Sequence, residues 1–309
     1  MTDTARRPQM VGIGSTVYDT LMVIDRFPTE DTKLQGIETK VQGGGPCATA
    51  LTAAQKLGIQ TAYLGQMGDD PFGRFMLEDF RKRGVDVSHV KLIPDTVSFH
   101  SVVILNRAQG SRTCIWNRGT TPQPDESNLD AGLLAEAEIL HLDGHMTAFA
   151  ALAARTARDA GTLVSYDAGG MYPGIDALLP LADILIPSEE FALKLTGLSR
   201  AEDAAEEIYR RYSPRVAAVT QGVKGGVIID EKGLRRYPAF RVDAVDTNGS
   251  GDTFHGAFDA ALLKGYDHDA AARYASAAAA IKCTRLGARD AMPTHEEVLA
   301  FLRERGEII

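Results

Sequence analysis

The chain has 309 residues, of which 44% are hydrophobic and 24% charged, and this composition is that of a folded globular protein rather than a disordered one. Its 33 lysines and arginines stand against 41 aspartates and glutamates, which gives a net charge of −8. An acidic chain without a Lys/Arg-rich run argues against nucleic acid or an anionic membrane as a partner and favours a small-molecule ligand.

The three cysteines, Cys47, Cys114 and Cys283, are far apart and lack Cys-x-x-Cys spacing, so the sequence predicts neither a disulfide framework nor a zinc knuckle. Residues 1–9 lack the apolar run of an export signal. No segment approaches the run of about 18 apolar residues that a membrane span needs. We therefore expect a protein of the reducing cytoplasm.

Short apolar strands alternate with amphipathic helices along the chain, a pattern that predicts an α/β fold with a parallel sheet covered on both faces. The predicted strands are 10–14, 61–65, 139–142, 163–167, 184–186 and 216–220, followed by a β run over 222–230 and another short one that extends to residue 240. The predicted helices are 46–57, 72–83, 148–160, 251–264, 269–284 and 294–304. Gly58, Gly84 and Gly161 directly follow the first three helices and are typical helix stops.

Two stretches, 18–40 and 97–116, interrupt this alternation. Both are rich in β-branched residues, and the second holds a turn at Gln109-Gly110. A doubly wound domain has no internal use for four such strands. We therefore predict a small β-sheet lid, formed by about 17–42 and 96–118, on a single domain of residues 1–309. The free edges of the lid strands favour pairing across a two-fold axis, so we expect a homodimer.

The most specific motif is Asp-Thr-Asn-Gly-Ser-Gly-Asp-Thr-Phe at 246–254, which leads from a strand end into a helix. Glycines there let successive backbone N–H groups point into one concavity, and the helix dipole adds partial positive charge. The pattern predicts an anion site at this turn. Asp252, held ionised in the first turn, would deprotonate a hydroxyl that attacks a phosphoryl group. The alternative is a glycine-rich loop in which Asp252 is an ordinary helix cap.

Two further glycine clusters are less specific. The cluster at 42–46 precedes a helix and would let a polar ligand approach the backbone, and the cluster at 220–226 fits either a nucleotide pocket or a simple hairpin turn. The Walker A spacing and the protein-kinase motifs are absent from the sequence. If the protein is a kinase, it is therefore neither a Walker A (P-loop) kinase nor a protein kinase.

His141, Asp143 and His145 alternate along the chain, and in an extended strand they would share one face as ligands suited to zinc. They fall at a strand end, however, Gly144 interrupts the extension, and no further His/Asp cluster completes a hydrolase. A polar strand end that lines a substrate cleft is the favoured interpretation. A His/Asp metal hydrolase is the alternative.

Four motifs resemble, in order and over essentially the whole chain, those of the ribokinase-like (phosphofructokinase-B type) sugar kinases. They are Gly-Ser-Thr-Val-Tyr-Asp at 14–19, residues 43–50 followed by Leu57-Gly58, Gly-Asp-Asp-Pro-Phe-Gly at 68–73, and residues 246–257. The resemblance implies a three-layer α/β/α domain with a small β lid, and ATP-dependent phosphorylation of a primary hydroxyl of a small sugar. A nucleoside kinase, a sugar-acid kinase and a non-catalytic sugar sensor of the same fold are the alternatives.

The resemblance also implies roles for individual residues. Asp252 would be the base, beside an anion hole at Gly249, Ser250 and Gly251. The sugar contacts would be Asp19, Gly44, Gly45 and Asp143. The residues bordering ATP would be Ser188, Thr220, Gly222 and Gly225. A monovalent cation, K⁺ in many members, would lie near Asp246, Asn248 and Gly287, and Mg²⁺ would bridge the phosphates.

Three positions depart from the family pattern. Ala48 stands where members commonly carry a sugar-binding asparagine, and Val17 replaces another polar contact, which argues against ribose. The Asn-x-x-Glu motif tied to Mg²⁺ is replaced at 188–191, where Glu190 is one position out of step.

Finer similarity favours a ketose or a ketose-derived substrate. Residues 80–88, residues 110–113 and Lys282-Cys283 are similar to ketohexokinases. Arg112, on a predicted lid strand, would meet an acidic substituent of the sugar or would be an ordinary solvated arginine.

Overall fold

The computed structural model describes residues 7–309, so most of the segment on which the prediction of no export signal rests lies outside the described residues. The largest feature is an eight-stranded central sheet with the order β14-β13-β12-β11-β10-β9-β1-β4. Its strands are β1 (Met10–Ile13), β4 (Thr61–Tyr63), β9 (Ile139–Leu142), β10 (Leu163–Ala168), β11 (Ile184–Pro187), β12 (Val216–Thr220), β13 (Gly226–Asp230) and β14 (Gly233–Tyr237).

The strands from β4 to β12 in that order run parallel, whereas β13 and β14 continue the sheet antiparallel. Strands β1, β9 and β11 are buried along their whole length. Their side chains alternate between two hydrophobic clusters, as Met10 and Val11 do on β1. Burial on both faces explains why these strands are continuous apolar runs in the sequence. The predicted α/β fold with a mostly parallel sheet is confirmed.

Helices cover both faces of the central sheet. One face packs against α1, α2, α7, α8 and α9, and the other against α3 to α6. The helices are α1 (Pro46–Lys56), α2 (Pro71–Arg83), α3 (Ala131–Glu136), α4 (Thr147–Asp159), α5 (Glu189–Thr196), α6 (Ala201–Tyr212), α7 (Ser250–Leu263), α8 (His268–Cys283) and α9 (His295–Glu304). Within residues 7–309, none of them has the length and apolar character that crossing a membrane requires.

A second sheet of four strands, here called the lid sheet, forms outside the central one, as the two β-rich stretches predicted. Its order is β3-β2-β7-β8. Its strands are β2 (Val17–Ile24), β3 (Glu38–Gly44), β7 (His100–Asn106) and β8 (Ser111–Asn117). The register pairs Asp19 with Ser101 and Val102 with Ile115. Because side chains alternate along a strand, the two pairs lie on opposite faces of the lid sheet.

Some predicted boundaries differ from the structure. The strand predicted at 61–65 ends at Tyr63, because β5 (Gly65–Gly68) pairs with β6 (Val90–Ile93) in a separate two-stranded sheet. The β run predicted from residue 222 begins only at Gly226, after a short 3-10 turn. Helices α3 and α5, with six and eight residues, are too short to be recognised from periodicity. Helix α6, with twelve residues, was not predicted.

Helices α1 and α7 cross at very close range. A Cβ atom at Gly256 of α7 would lie 2.1 Å from the carbonyl oxygen of Ala50 in α1. Any side chain at position 256 would therefore push α7 away from α1. This crossing fixes the position of the first turn of α7, which carries Asp252.

We expect Gly256→Ala to destabilise the protein by about 1–3 kcal/mol, because overpacking forces the two helices apart. The matched control is Gly132→Ala in α3, where the nearest atom to a new Cβ is 3.5 Å away. That change should stabilise the fold by about 0.5–1 kcal/mol through helix propensity and chain entropy. Urea unfolding of both variants measures the difference, and equal effects would show that the crossing tolerates a methyl group.

Candidate active site

The N-terminal turn of α7 has the geometry of an anion site. Gly249 precedes the helix with φ 78°, and no side chain caps this helix end. The N–H of Ser250 donates to the carbonyl oxygen of Thr247 at 3.2 Å. The N–H groups of Gly249, Gly251 and Asp252 have no acceptor within the described part of the chain. These N–H groups and the helix dipole are therefore available to an anion. The set includes the N–H of Asp252, whereas the N–H of Ser250, which was predicted to belong to it, is bonded to Thr247.

Asp252 lies in this first turn with a half-buried side chain. Burial raises its pKa to about 6, and the carboxylates of Asp167 and Asp143 act in the same direction, against His255 and Arg112. The prediction that the helix dipole holds Asp252 ionised is corrected here, because burial and like charges outweigh the dipole. A carboxylate that titrates near neutral pH is well suited to accept a proton from a hydroxyl.

Asp19 reaches the site from lid strand β2. Its Oδ1 accepts a hydrogen bond from Oγ of Ser101 at 2.6 Å, and a Cβ at Gly44 would lie 2.0 Å from its Oδ2. Position 44 is a glycine because the carboxylate fills that space. Burial raises the pKa of Asp19, against the Ser101 hydrogen bond and the charge of Arg289. Gly45 follows as the N-cap of α1 with φ 94°, so the predicted sugar contacts at 19, 44 and 45 lie together.

Asp143, a predicted sugar contact, is held by hydrogen bonds from its own chain. Its Oδ2 accepts from the N–H and Oγ of Ser15 at 2.8 and 2.7 Å and from the N–H of Cys47 at 3.1 Å. Its Oδ1 accepts from the N–H of His145 at 3.0 Å. A carboxylate offers about four acceptor positions, so this one is already satisfied. Burial alone would raise the pKa of Asp143, but His145 and the N–H donors hold it well below the usual value. Asp143 ties β9 to β1 and α1.

The three side chains of the alternative metal site do not converge. His141 is fully buried, with its Nδ1 2.9 Å from Oδ2 of Asp259. Gly144, with φ 81°, turns the chain before His145, so the alternation of an extended strand is lost. Among residues 7–309, one group of three potential ligands does lie within reach of a common ion, namely Asp230, Glu231 and His268. That group lies at the far edge of the central sheet, where Arg235 binds Asp230.

The predicted nucleotide residues follow β11 and β12, which end side by side. A parallel bridge joins Ser188 to Thr220, and the turn after Thr220 closes with a bond from the Gln221 N–H to the Gly225 carbonyl at 2.8 Å. Gly225 has φ 84°, and a Cβ there would lie 2.2 Å from a backbone oxygen of β14. The structure thus brings Ser188, Thr220, Gly222 and Gly225 to the carboxyl edge of the central sheet, where α/β folds bind ligands.

Glu189, and not the predicted Glu190, contacts this loop. Oε1 of Glu189 accepts a hydrogen bond from Nε2 of Gln221 at 2.6 Å, whereas Glu190 is exposed. Oε1 of Gln221 is buried and has no partner within the described residues. An orphan acceptor beside a carboxylate is an arrangement that a bound nucleotide and its divalent metal would complete. The sequence shows two adjacent glutamates, but it does not show how α5 is rotated, and that rotation decides which of the two faces the loop.

Asp246 joins the two loops that were predicted to hold a monovalent cation. Its Oδ1 accepts from the N–H of Asn248 at 2.8 Å and its Oδ2 from the N–H of Gly287 at 2.9 Å. The buried Lys282, which the prediction did not include, donates to the main-chain oxygen of Asp246 at 2.7 Å and lies 3.9 Å from its Oδ2. The Asp246 carboxylate and the loop carbonyls are oxygen donors of the kind that a monovalent cation takes, and the Lys282 ammonium pairs with the same carboxylate.

Two arginines connect the lid sheet with the rest of the site. Arg112 of β8 hydrogen-bonds to Oδ1 of Asn248, so its guanidinium lies beside the anion turn. Arg289 is buried and donates to Oδ2 of Asp79 and to the carbonyl oxygen of Gly44. The prediction missed Arg289, because nothing in its loop sequence distinguishes a buried arginine from a surface one.

Known proteins are similar to this chain over nearly its whole length. The chain matches the family described as pfkB family carbohydrate kinase over residues 7–295. It is 30% identical to the ATP-dependent ribose-1-phosphate kinase of Halopiger xanaduensis, covering 96% of this chain and 99% of the relative. It is 31% identical to probable fructokinase-5 of Arabidopsis thaliana, covering 98% and 100%. The structure of Arabidopsis thaliana ribokinase complexed with ribose and ATP is similar with a TM-score of 0.85 and 27% identity, covering 96% and 99%.

The raised pKa of Asp252 predicts a pH-dependent effect on stability. The stabilisation that a protonated Asp252 gives is complete below the unfolded pKa of 3.8 and is lost as the pH rises through about 6. Asp252→Asn imitates the protonated form. We therefore expect it to raise the free energy of unfolding by about 1–3 kcal/mol at pH 8 and by little near pH 4.

Urea unfolding at the two pH values measures this effect. Asp259→Asn is the matched control, because Asp259 is also a buried α7 carboxylate but is bonded to His141 and Ser165. That variant should lose stability at both pH values. A stability gain at Asp252 that is independent of pH would contradict the assignment of a raised pKa.

Proposed function

This chain belongs to the pfkB family of carbohydrate kinases, as the sequence resemblance predicted, and we propose that it transfers the γ-phosphoryl group of ATP to a primary hydroxyl of a small ketose. The observation that carries the proposal is the first turn of α7. There, the N–H groups of Gly249, Gly251 and Asp252 have no acceptor within residues 7–309, and burial raises the pKa of the Asp252 side chain to about 6. This geometry supports a base beside an anion hole.

The chain's own groups would divide the work of transfer. Asp252 accepts the proton of the sugar hydroxyl, a contribution of about 10²–10⁴ in rate. The amides of Gly249 and Gly251 hold the equatorial oxygens of the transferring group, where charge spreads in the transition state. Removing the predicted acceptor of the proton should therefore cost most of the turnover without preventing sugar binding.

The nucleotide end of the proposal rests on the loops after β11 and β12. The bond from the Gln221 N–H to Gly225 closes the glycine turn that would border the nucleotide, and Oε1 of Gln221 has no partner among the described residues. Glu189 is the carboxylate beside it and would help to hold Mg²⁺. Mg²⁺, when bound, offsets the charge of the phosphates.

A monovalent cation belongs to the same proposal. The loops that contain Asn248 and Gly287 are tied together by Asp246 and lie next to the anion turn. A cation among their carbonyl oxygens would add positive charge behind the transferring group. Lys282 already supplies one charge at this place, so we expect K⁺ to increase the rate and not to be indispensable.

The lid sheet would close over the sugar. The face that carries Asp19 and Ser101 also carries Arg112, because register pairs Leu105 with Arg112 and side chains alternate along β7. Closure would exclude water, so that the sugar hydroxyl rather than solvent receives the phosphoryl group.

A ketose is the substrate class we favour. Support comes from the relative described as a fructokinase and from Ala48, which is fully buried and offers no polar contact where ribose-binding members carry an asparagine. A phosphorylated pentose is the second candidate. It is favoured by the relative that acts on ribose 1-phosphate and by the position of the Arg112 guanidinium beside the anion turn.

ADP release tests the proposed function. The wild-type protein is assayed with ATP, Mg²⁺ and K⁺ over ketoses, aldoses, sugar acids, ribose 1-phosphate and nucleosides, and we expect the highest kcat/KM with a ketose. Asp252→Asn should lower kcat by about 10²–10⁴ while the sugar still raises its melting temperature. Replacing K⁺ by tetramethylammonium should lower the wild-type rate. Sugar-independent ADP release, or near-normal turnover of Asp252→Asn, would contradict the proposal.

We also propose a homodimer formed through the outer face of the lid sheet. Val41, Val102 and Ile115 lie in one row across this face, because Thr20 pairs with both valines and Val102 pairs with Ile115. They are 38%, 39% and 60% exposed. An apolar row on a sheet with free edge strands favours a symmetric partner.

The dimer is tested by light scattering at micromolar protein, where we expect twice the mass of the chain. Ile115→Lys should shift the protein to monomer, because it places a charge at the most exposed position of the apolar row. Ala108→Lys at the exposed hairpin tip is the matched control and should remain dimeric. A monomeric wild-type protein would contradict the proposal.

A further inference from the structure

One face of α7 carries three titratable side chains toward the interior. Asp252, His255 and Asp259 are spaced by three and four residues, which places them on one side of the helix. His255 is 5% exposed and Asp259 is fully buried. The proposed transfer uses only Asp252. Two buried ionisable groups beneath the base therefore remain without a role.

Each of these two groups has a partner on a neighbouring strand. Nε2 of His255 lies 3.1 Å from Oδ1 of Asp167, at the end of β10. Deeper in the core, Asp259 accepts from Oγ of Ser165 at 2.8 Å and lies 2.9 Å from Nδ1 of His141. Both histidines thus use one ring nitrogen toward a carboxylate, and the other nitrogen of each has no partner within residues 7–309.

The charged groups that face this side of α7 come from several packed elements. They are the carboxylates of Asp167 on β10, Asp143 after β9 and Asp259 on α7, the ammonium of Lys282 on α8, and the guanidinium of Arg112 on the lid sheet. Helix α1 contributes the Cys47 thiol, whose pKa burial raises, so that it is neutral. Both Lys282 and Arg112 are bonded to the 246–248 turn. His255 is the cation that lies among the carboxylates.

The charge state of His255 follows from its partner. Burial alone would lower the pKa of His255, but Asp167 raises it above the usual value through its charge and its hydrogen bond. Proton binding near neutral pH is thereby favoured. The resulting imidazolium acts on Asp252 in the direction opposite to Asp167 and Asp143.

Resting on the proposed phosphoryl transfer, we propose that His255 is a positioning residue for the base. Paired with Asp167, it fixes one positive charge beneath the first turn of α7 and keeps the Asp252 carboxylate ready for the acceptor hydroxyl. His255 itself touches neither the sugar nor the nucleotide, so its action is exerted through Asp252.

His255→Gln separates charge from hydrogen bonding, because the amide can still donate to Asp167 but carries no charge. We expect the acidic limb of the kcat/KM profile, near pH 6 in the wild type, to move upward by about one pH unit. At pH 6 the variant should therefore be about five- to tenfold slower than the wild type, and above pH 8.5 within about twofold.

His141→Gln is the matched control. His141 is an equally buried histidine paired with a carboxylate on the same face of α7, but it is not among the groups that act on Asp252. It should leave the acidic limb in place whatever stability it loses. An unchanged acidic limb in His255→Gln, with activity lost uniformly across the pH range, would overturn the proposal in favour of a purely structural histidine.

A titration of the histidine rings by NMR gives a readout that needs neither a substrate nor the His255 variant. In Asp252→Asn, the pKa of His255 should fall below its wild-type value, because the neighbouring carboxylate is gone. The ring resonances of His141 are the internal control and should be the same in both proteins. Identical His255 titration in the two proteins would overturn the proposal, whereas failure to find a sugar substrate would count only against the proposed function.

Discussion

The arrangement of this site depends on one electrostatic constraint. Unpaired N–H groups that can hold an anion and a carboxylate that can take a proton occupy the same helix turn. The dipole of α7 favours a negative group there. The N–H groups are for an anion and the carboxylate is for a proton, so a permanent partner from the chain would block either of them. Within residues 7–309, the N–H groups and the carboxylate therefore have no hydrogen-bond partners at the carboxyl edge of the central sheet. The buried charges next to this turn are instead paired with other side chains and N–H groups.

The compensation differs for each carboxylate. Asp143 is satisfied by hydrogen bonds from Ser15, Cys47 and His145, which keep it ionised and immobile. Asp167 has His255 as its partner. Asp252 makes no such bonds among the described residues, and burial together with the charge of Asp167 raises its pKa. Asp143 and Asp252 are the same residue type, yet their neighbours move the two pKa values in opposite directions.

The sequence predicts those features of the fold and the site that depend on residues close together in the chain. Local patterns predicted the parallel strands, the helix stops at Gly58 and Gly84 and the β-rich insertions, because periodicity and glycine backbone preference act within a few residues. The 246–254 motif indicated the anion turn for the same reason. Contacts between distant segments decided the rest. The His255 pair with Asp167 spans 88 residues, and the saturation of Asp143 by Ser15 spans 128. Neither contact can be recognised from the residues that neighbour it in the sequence.

The same long-range contacts join the lid sheet to the anion turn. Arg289 binds the carbonyl oxygen of Gly44 at the base of β3, and Lys40 of the same strand binds Asp290. These partners belong to the loop that contains Gly287, whose N–H binds Asp246 at the start of the anion motif. At the opposite edge of the lid sheet, β8 is bonded to the motif through Asn248. Both edge strands are therefore bonded to loops that Asp246 joins, so a change in lid position would alter the loops that present the anion site.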